Sequence, residues 1–185
     1  MEQILAAPWL DLVALADLDP DGPDVEEAGR SYDENALIKA RAAVAATGLP
    51  AIADDAGLEI DALDGQPGVH SHRFLGQDTP FPEKMRQILT LLGNVPEEKR
   101  ACRFRAAVAL VLPTGEEYLC HGVCEGRVAH EQRGTYGFGY DPIFYLPQLG
   151  RHMAELPPEE KHRISHRGQA LACVRKLLEQ LFLNR

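Results

Sequence analysis

The clearest periodic signal lies near the C-terminus. Leu171, Val174, Leu177, Leu178, Leu181 and Phe182 follow the i, i+3, i+4, i+7 rhythm of a helix that buries one stripe, which predicts a helix starting near Ser165. A second amphipathic helix is predicted over residues 81–92, with Gly93 past its end. A third opens at Ser31-Tyr32-Asp33-Glu34, a serine with a glutamate three residues on, which is capping-box spacing. It runs through Ala46 and ends at Gly48 and Pro50. Ala36, Ala40 and Ala43-Val44 fall on one face of this helix, and such small residues permit close packing on a sheet; Lys39 sits beside that face.

Elsewhere the period is two, or the run is short and apolar. Residues 10–15 read as a strand, 49–53 as a short strand running into Asp54-Asp55, and Leu58-Glu59-Ile60 alternates again. Residues 100–112 and 116–123 read as two strands joined at Pro113-Thr114-Gly115, a hairpin by composition. Ile143-Phe144-Tyr145 reads as a further short strand. Residues 2–7 look like the tail of a helix. The stretch 16–30, acidic and carrying Pro20, Gly22, Pro23 and Gly29, reads as a loop, as does 65–76. Strands and helices alternate at the start, a hairpin sits in the middle and a helix closes the chain, which predicts an α/β fold around one mixed sheet. A chain of 185 residues suits one domain, or two small lobes sharing a core.

The net charge of −9 argues against binding nucleic-acid polymers, which takes clustered Lys and Arg. It leaves room for a small phosphorylated ligand in a locally cationic cleft. No apolar run approaches the roughly 20 residues of a membrane span, and the first residues lack the basic head and apolar stretch of a signal peptide. A cytoplasmic protein with no membrane partner is expected. Its four cysteines, Cys102, Cys120, Cys124 and Cys173, are then expected to be reduced core residues. Cys120 and Cys124 flank His121, but no second C-x-x-C pair completes a zinc site.

Four places carry candidate chemistry. Gly137-Phe138-Gly139-Tyr140-Asp141-Pro142 brackets an aromatic ring with glycines that let backbone approach a ligand; Asp141 can accept from the N–H edge of a planar base lying on Phe138. The plain alternative is a Gly-rich hairpin with a core Phe. Asp54-Asp55 closes an apolar strand; adjacent carboxylates point oppositely if the strand continues, and such oxygens suit Mg²⁺ alongside substrate phosphates. The alternative is a polar strand end before an Ala56-Gly57 turn. Glu26-Glu27 and Lys39 read, taken alone, as a solvated acidic stretch and a snorkelling lysine. The run Lys161-His162-Arg163-Ile164-Ser165-His166-Arg167 places cations at a helix start, where they work against the dipole unless anions or carbonyl acceptors meet them; the alternative is a basic surface patch. Together these groups supply acids for a metal, cations for phosphates, and an aromatic–carboxylate pair for a base.

Four stretches resemble the inosine triphosphate pyrophosphatase (Ham-type, non-standard purine nucleotide pyrophosphatase) family. They are residues 32–41 (YDENALIKAR), residues 49–58 (LPAIADDAGL), Gly137 to Phe144, and Glu159-Glu160-Lys161 through Ser165-His166-Arg167. Their order and separations match the family from about Val25 onward. The resemblance implies an elongated α/β fold, a mixed sheet with flanking helices and two lobes around a central cleft, in a single domain over 1–185 and usually a homodimer. It implies Mg²⁺-dependent hydrolysis of ITP, dITP and XTP to the monophosphate and pyrophosphate. Carried over by motif, Asp55 is the proton acceptor and a metal ligand with Glu27, and Lys39 contacts the phosphates. Phe138 stacks on the purine, and Gly139, Tyr140 and Asp141 shape its surroundings. Lys161, His166 and Arg167 hold the base, and Ala56 and Arg73 complete the substrate contacts.

Two departures stand out. The family opens with a buried strand and Thr-Gly-Asn-x-x-Lys, whereas here Thr47-Gly48 is followed by Leu49 and Thr114-Gly115 by Glu116. Ala56 stands where the family usually has serine. The expectation is a shortened or wrongly assigned start of an ordinary enzyme. The alternatives are a catalytically impaired nucleotide-binding or dimerisation module, and a pyrophosphatase for modified pyrimidine nucleotides.

Overall fold

The computed structural model describes residues 1–20 and 25–183. Six helices occur among them: α1 (Glu2–Leu5), α2 (Leu15–Leu18), α3 (Tyr32–Thr47), α4 (Phe81–Leu91), α5 (Pro158–Ile164) and α6 (His166–Phe182). Five strands, β1 (Ala51–Ile60), β2 (Ala101–Val111), β3 (Glu117–Val128), β4 (Phe144–Leu146) and β5 (Arg151–His152), form one sheet in the order β1-β2-β3-β4-β5. β4 pairs antiparallel with β3, Val128 opposite Phe144, and with β5, Tyr145 opposite His152. No helix among the described residues is long and apolar enough to cross a membrane.

Several expectations change. Residues 10–15 are not a strand: an isolated Ala7–Leu10 bridge precedes the one-turn α2, because a short alternation with no neighbouring strand cannot satisfy its backbone. Within the expected loop over 16–30, residues 21–24 lie outside the described residues, and 25–29 carry no regular structure. The two apolar pieces on either side of Asp54-Asp55 are one continuous strand. Helix α5, opened by Pro158 at its first position, is too short for its periodicity to announce it.

The chain divides into two compact units. The first comprises Met1–Asp55, Ala106–Gly122 and Arg167–Arg185; the second comprises Ala56–Arg105 and Val123–His166.

In the first unit, α3 lies on β2 through side chains of minimal size. Ala36 and Ala40 pack with Ala107, Ala109 and Val111. The helix begins as its cap residues dictate: Ser31 Oγ accepts from Glu34 N–H at 3.2 Å, and the Glu34 carboxylate accepts from Arg30 N–H at 2.6 Å. It ends on Gly48, whose φ of 68° is the left-handed conformation glycine adopts without penalty. The expected set of four reduced cysteines is corrected here. Cys120 on β3 and Cys173 on α6 form a disulfide, their Cα atoms 5.8 Å apart, whereas Cys102 and Cys124 are buried thiols. Partners 53 residues apart meet only once the closing helix is in place, which spacing cannot reveal. A cross-link closing so long a loop constrains the unfolded chain by about 2–4 kcal/mol. Reductant is therefore expected to lower the urea midpoint of wild type and leave that of Cys120→Ser unmoved.

The second unit holds a larger core. Ile88 and Met85 of α4 pack with Leu58, Ile60, Phe104, Ile143 and Phe144. Phe104 and Phe144 stack at 4.3 Å, and Gly126 makes this possible, since a Cβ there would stand 2.5 Å from the Phe144 ring. Two cations are fully buried. Arg100 donates to the carbonyls of Val128 (2.8 Å), Leu92 (2.7 Å) and Ala129 (2.8 Å), so its guanidinium is solvated by backbone. Lys84 donates to the His72 carbonyl and lies 5.1 Å from the Phe81 ring centroid; burial pulls its pKa down.

Candidate active site

The candidate residues fall into two constellations, one in each unit. The first is built on α3 and β1. Because β1 continues through Asp54-Asp55, neighbouring side chains alternate faces. Asp54 accepts from Arg167 Nε at 2.6 Å, while Asp55 Oδ2 accepts from Asn35 Nδ2 at 3.0 Å. Asn35 and Lys39 lie one turn apart on α3 and therefore share a face. Lys39 Nζ donates to Glu27 Oε1 at 2.7 Å and stands 3.6 Å from Asp55 Oδ1. Glu27, Lys39 and Asp55, three residues selected separately in the sequence, thus form one cluster of two carboxylates around a cation. Asp55 is largely buried, its side chain 11% exposed. Carboxylate oxygens that already attract one cation have the hardness and charge to hold Mg²⁺, which commonly uses one or two protein carboxylates and fills its remaining positions from phosphate and water.

The second constellation is the 137–141 turn with Lys161. Gly137 and Gly139 have φ of 77° and 64°, and a Cβ on Gly137 would overlap Asp141 Oδ2 and stand 2.9 Å from Lys161 Nζ. Glycine at 137 is thus required by both backbone angle and space. Asp141 Oδ2 accepts the Phe138 N–H at 2.9 Å and pairs with Lys161, whose Nζ lies 4.7 Å from the Phe138 ring centroid. The Asp141 side chain is only 3% exposed, while Phe138 is 61% exposed. An exposed aromatic ring beside a buried ion pair is the kind of surface on which a planar ligand can stack. Tyr140 turns inward. Its hydroxyl donates to the Ser71 carbonyl at 2.9 Å, its ring meets Phe81 edge-on at 5.1 Å, and burial pushes its phenol pKa up. Tyr140 therefore supports the turn from below. His166 stacks on Phe104 at 4.8 Å, which fixes the plane of its imidazole.

The remaining candidates divide. Arg167 starts α6 in the first unit on Asp54. Ala56 is half-buried on β1 in the second unit, and Arg73 is exposed in the turn after Ser71. Sequence reasoning missed Ser71 and Phe81 beneath the Phe138 turn, and it gave Asn35 no role. For Asn35 there was a signal: an amide in the first turn of a capped helix, four residues before Lys39 and so on its face.

A sequence profile described as the Ham1 family matches residues 1–177. This chain belongs to the Ham1 family. Relatives include a dITP/XTP pyrophosphatase of Symbiobacterium thermophilum, 50% identical over 94% of this chain and 86% of the relative. Another, from Geobacter sulfurreducens, is 48% identical over 89% and 82%. Among solved structures, a HAM1 protein from Coxiella burnetii superimposes with a TM-score of 0.88 at 42% identity, covering 97% of this chain and 91% of that one. The Staphylococcus aureus Ham1 protein gives the same TM-score at 37% identity and the same coverage. In this chain Glu27, Lys39 and Asp55 form one cluster and Phe138, Asp141 and Lys161 another.

Proposed function

We propose that this chain hydrolyses non-standard purine nucleoside triphosphates, dITP, ITP and XTP, to the monophosphate and pyrophosphate. The observation that carries the reading is the Glu27–Lys39–Asp55 cluster in a chain whose relatives are named dITP/XTP pyrophosphatases. Glu27 and Asp55 would hold Mg²⁺, which when bound supplies charge neutralisation at the triphosphate. Lys39 moves its ammonium from the carboxylates to the phosphate oxygens. Asp55 accepts the proton of the water that attacks the α-phosphorus, and pyrophosphate leaves. Phe138 stacks on the purine, on the turn braced by Gly139, Tyr140 and Asp141. Lys161, His166 and Arg167 present donors to the base, while Ala56 and Arg73 line its approach. Arg167 has only donors, so it suits a 6-keto oxygen and leaves an adenine 6-amino group facing another donor, a mismatch that discriminates strongly in a desolvated site. On the family resemblance the enzyme is read as a cytoplasmic homodimer, a location in which the Cys120–Cys173 disulfide is an exception to the usual reduced state of intracellular thiols.

The test is a substrate panel with product analysis. Pyrophosphate and dIMP are expected from dITP, kcat/KM for dITP at least about a hundredfold above that for dATP, and activity lost to EDTA and restored by Mg²⁺. Release of inorganic phosphate with dIDP, or equal rates on dATP, would sink the reading.

A further inference from the structure

Asn35 is fully buried and both ends of its amide are engaged. Its Oδ1 accepts the Gly29 N–H at 2.8 Å, and its Nδ2 donates to Asp55 Oδ2 at 3.0 Å. A carboxylate only accepts and a backbone N–H only donates, so these two neighbours fix the amide's orientation. The approach to the loop is close: a Cβ on Gly29 would stand 2.5 Å from Asn35 Oδ1 and 2.8 Å from Glu34 Cβ. One side chain therefore ties three segments together. These are the acidic loop two residues past Glu27, helix α3 one turn before Lys39, and strand β1 at Asp55. Because Asn35 engages Oδ2, Asp55 turns Oδ1 toward Lys39, at 3.6 Å.

We propose that Asn35 is a positioning residue for the hydrolytic step. It selects which oxygen of Asp55 faces the reacting groups, and it holds the Glu27 loop in register with that oxygen, without itself touching the nucleotide. This assignment rests on the function proposed above. A group that acts by orienting another should alter the rate of the chemical step more than the affinity for substrate, because misplacement of a reacting group by about 1 Å can cost about a hundredfold. Its effect should also vanish once the oriented group is gone.

The experiment is a double-mutant cycle on the full chain, with dITP and Mg²⁺. Asn35→Asp is isosteric. It keeps an acceptor for the Gly29 N–H, but it sets a second carboxylate where the donor to Asp55 stood, 3.0 Å from that side chain. It thus adds like-charge repulsion to the loss of the donor. Asn35→Ser removes the amide donor without adding charge and is therefore the primary variant. For Asn35→Ser the expected result is a fall in kcat of about a hundredfold, a KM within about threefold of wild type, and a thermal midpoint that leaves the protein folded at the assay temperature. In an Asp55→Asn background the same change should cost less than about twofold in residual kcat. Asn35→Asp, run beside Asn35→Ser, shows the effect of added charge: a kcat loss in Asn35→Asp with none in Asn35→Ser would overturn the assignment. Equal losses in both backgrounds, or a loss confined to KM, overturn the assignment while leaving the functional reading intact. Wild-type turnover by Asp55→Asn alone removes Asp55 from the chemistry and overturns this assignment with it, whereas the functional reading falls only if wild type fails to give dIMP and pyrophosphate from dITP.

Discussion

Asp55→Asn is expected to reduce kcat for dITP about a thousandfold while leaving the thermal midpoint nearly unchanged. Asparagine matches aspartate in shape and can still accept the hydrogen bond from Asn35 Nδ2 at 3.0 Å, so the local fold is retained. What disappears is the group that takes the proton from the attacking water, and positioned general bases contribute roughly 10²–10⁴. The charge that pairs Asp55 with Lys39 at 3.6 Å is lost as well. Lys39 keeps Glu27 at 2.7 Å, so its ammonium is not stranded and little folding energy is at stake. Steady-state pyrophosphate release and a thermal melt, run on the same preparation, separate these effects. A variant with less than a tenfold loss would remove Asp55 from the chemistry.

Lys161→Met is expected to be strongly destabilising to the second unit. Asp141 is a carboxylate with a 3% exposed side chain, and Lys161, itself 11% exposed, is the cation beside it. Taking the ammonium away leaves a buried negative charge supported by the Phe138 N–H at 2.9 Å. Breaking a buried pair in this way typically costs about 3–5 kcal/mol, mostly the penalty of the charge left behind. The urea midpoint should drop accordingly, and KM for dITP should rise, because the same carboxylate organises the turn that displays Phe138. The decisive comparison is Lys161→Met with Asp141→Asn together. With no charge left to strand, the double variant should be more stable than Lys161→Met alone, a coupling expected of groups in contact. Additive losses would show that the pair does not act as one element.

Much of this architecture is legible in the order of residues alone. Ser31 and Glu34 announce the start of α3, Gly48 its end, and the leucine stripe the closing helix, because each signal rests on local backbone chemistry. The alternation rule also anticipates that Asp54 and Asp55 serve different partners. The strand itself is harder to see. Asp-Asp followed by Ala-Gly looks like a chain leaving a sheet, and only pairing with β2, supplied from some fifty residues away, keeps it extended. The same limit explains the disulfide: Cys120 and Cys173 sit on elements that meet only in the finished fold. At the site, Asp55, Lys39 and Phe138 stand out by residue type. The groups that hold them do not, because a buried amide such as Asn35, or a serine carbonyl such as that of Ser71, acts through direction and distance. Neither leaves a trace in composition.

Ala36 and Ala40 of α3 are fully buried in one cluster with Ala107, Ala109 and Val111 of β2. The helix consequently has no slack. Lengthening any of these side chains would lift Asn35 and Lys39 together by a fraction of an ångström, like moving the jaw of a caliper. Tolerance to mutation on this inner face is therefore governed by the reach of two polar side chains on another part of the helix, and drift in the core and drift in turnover become the same event.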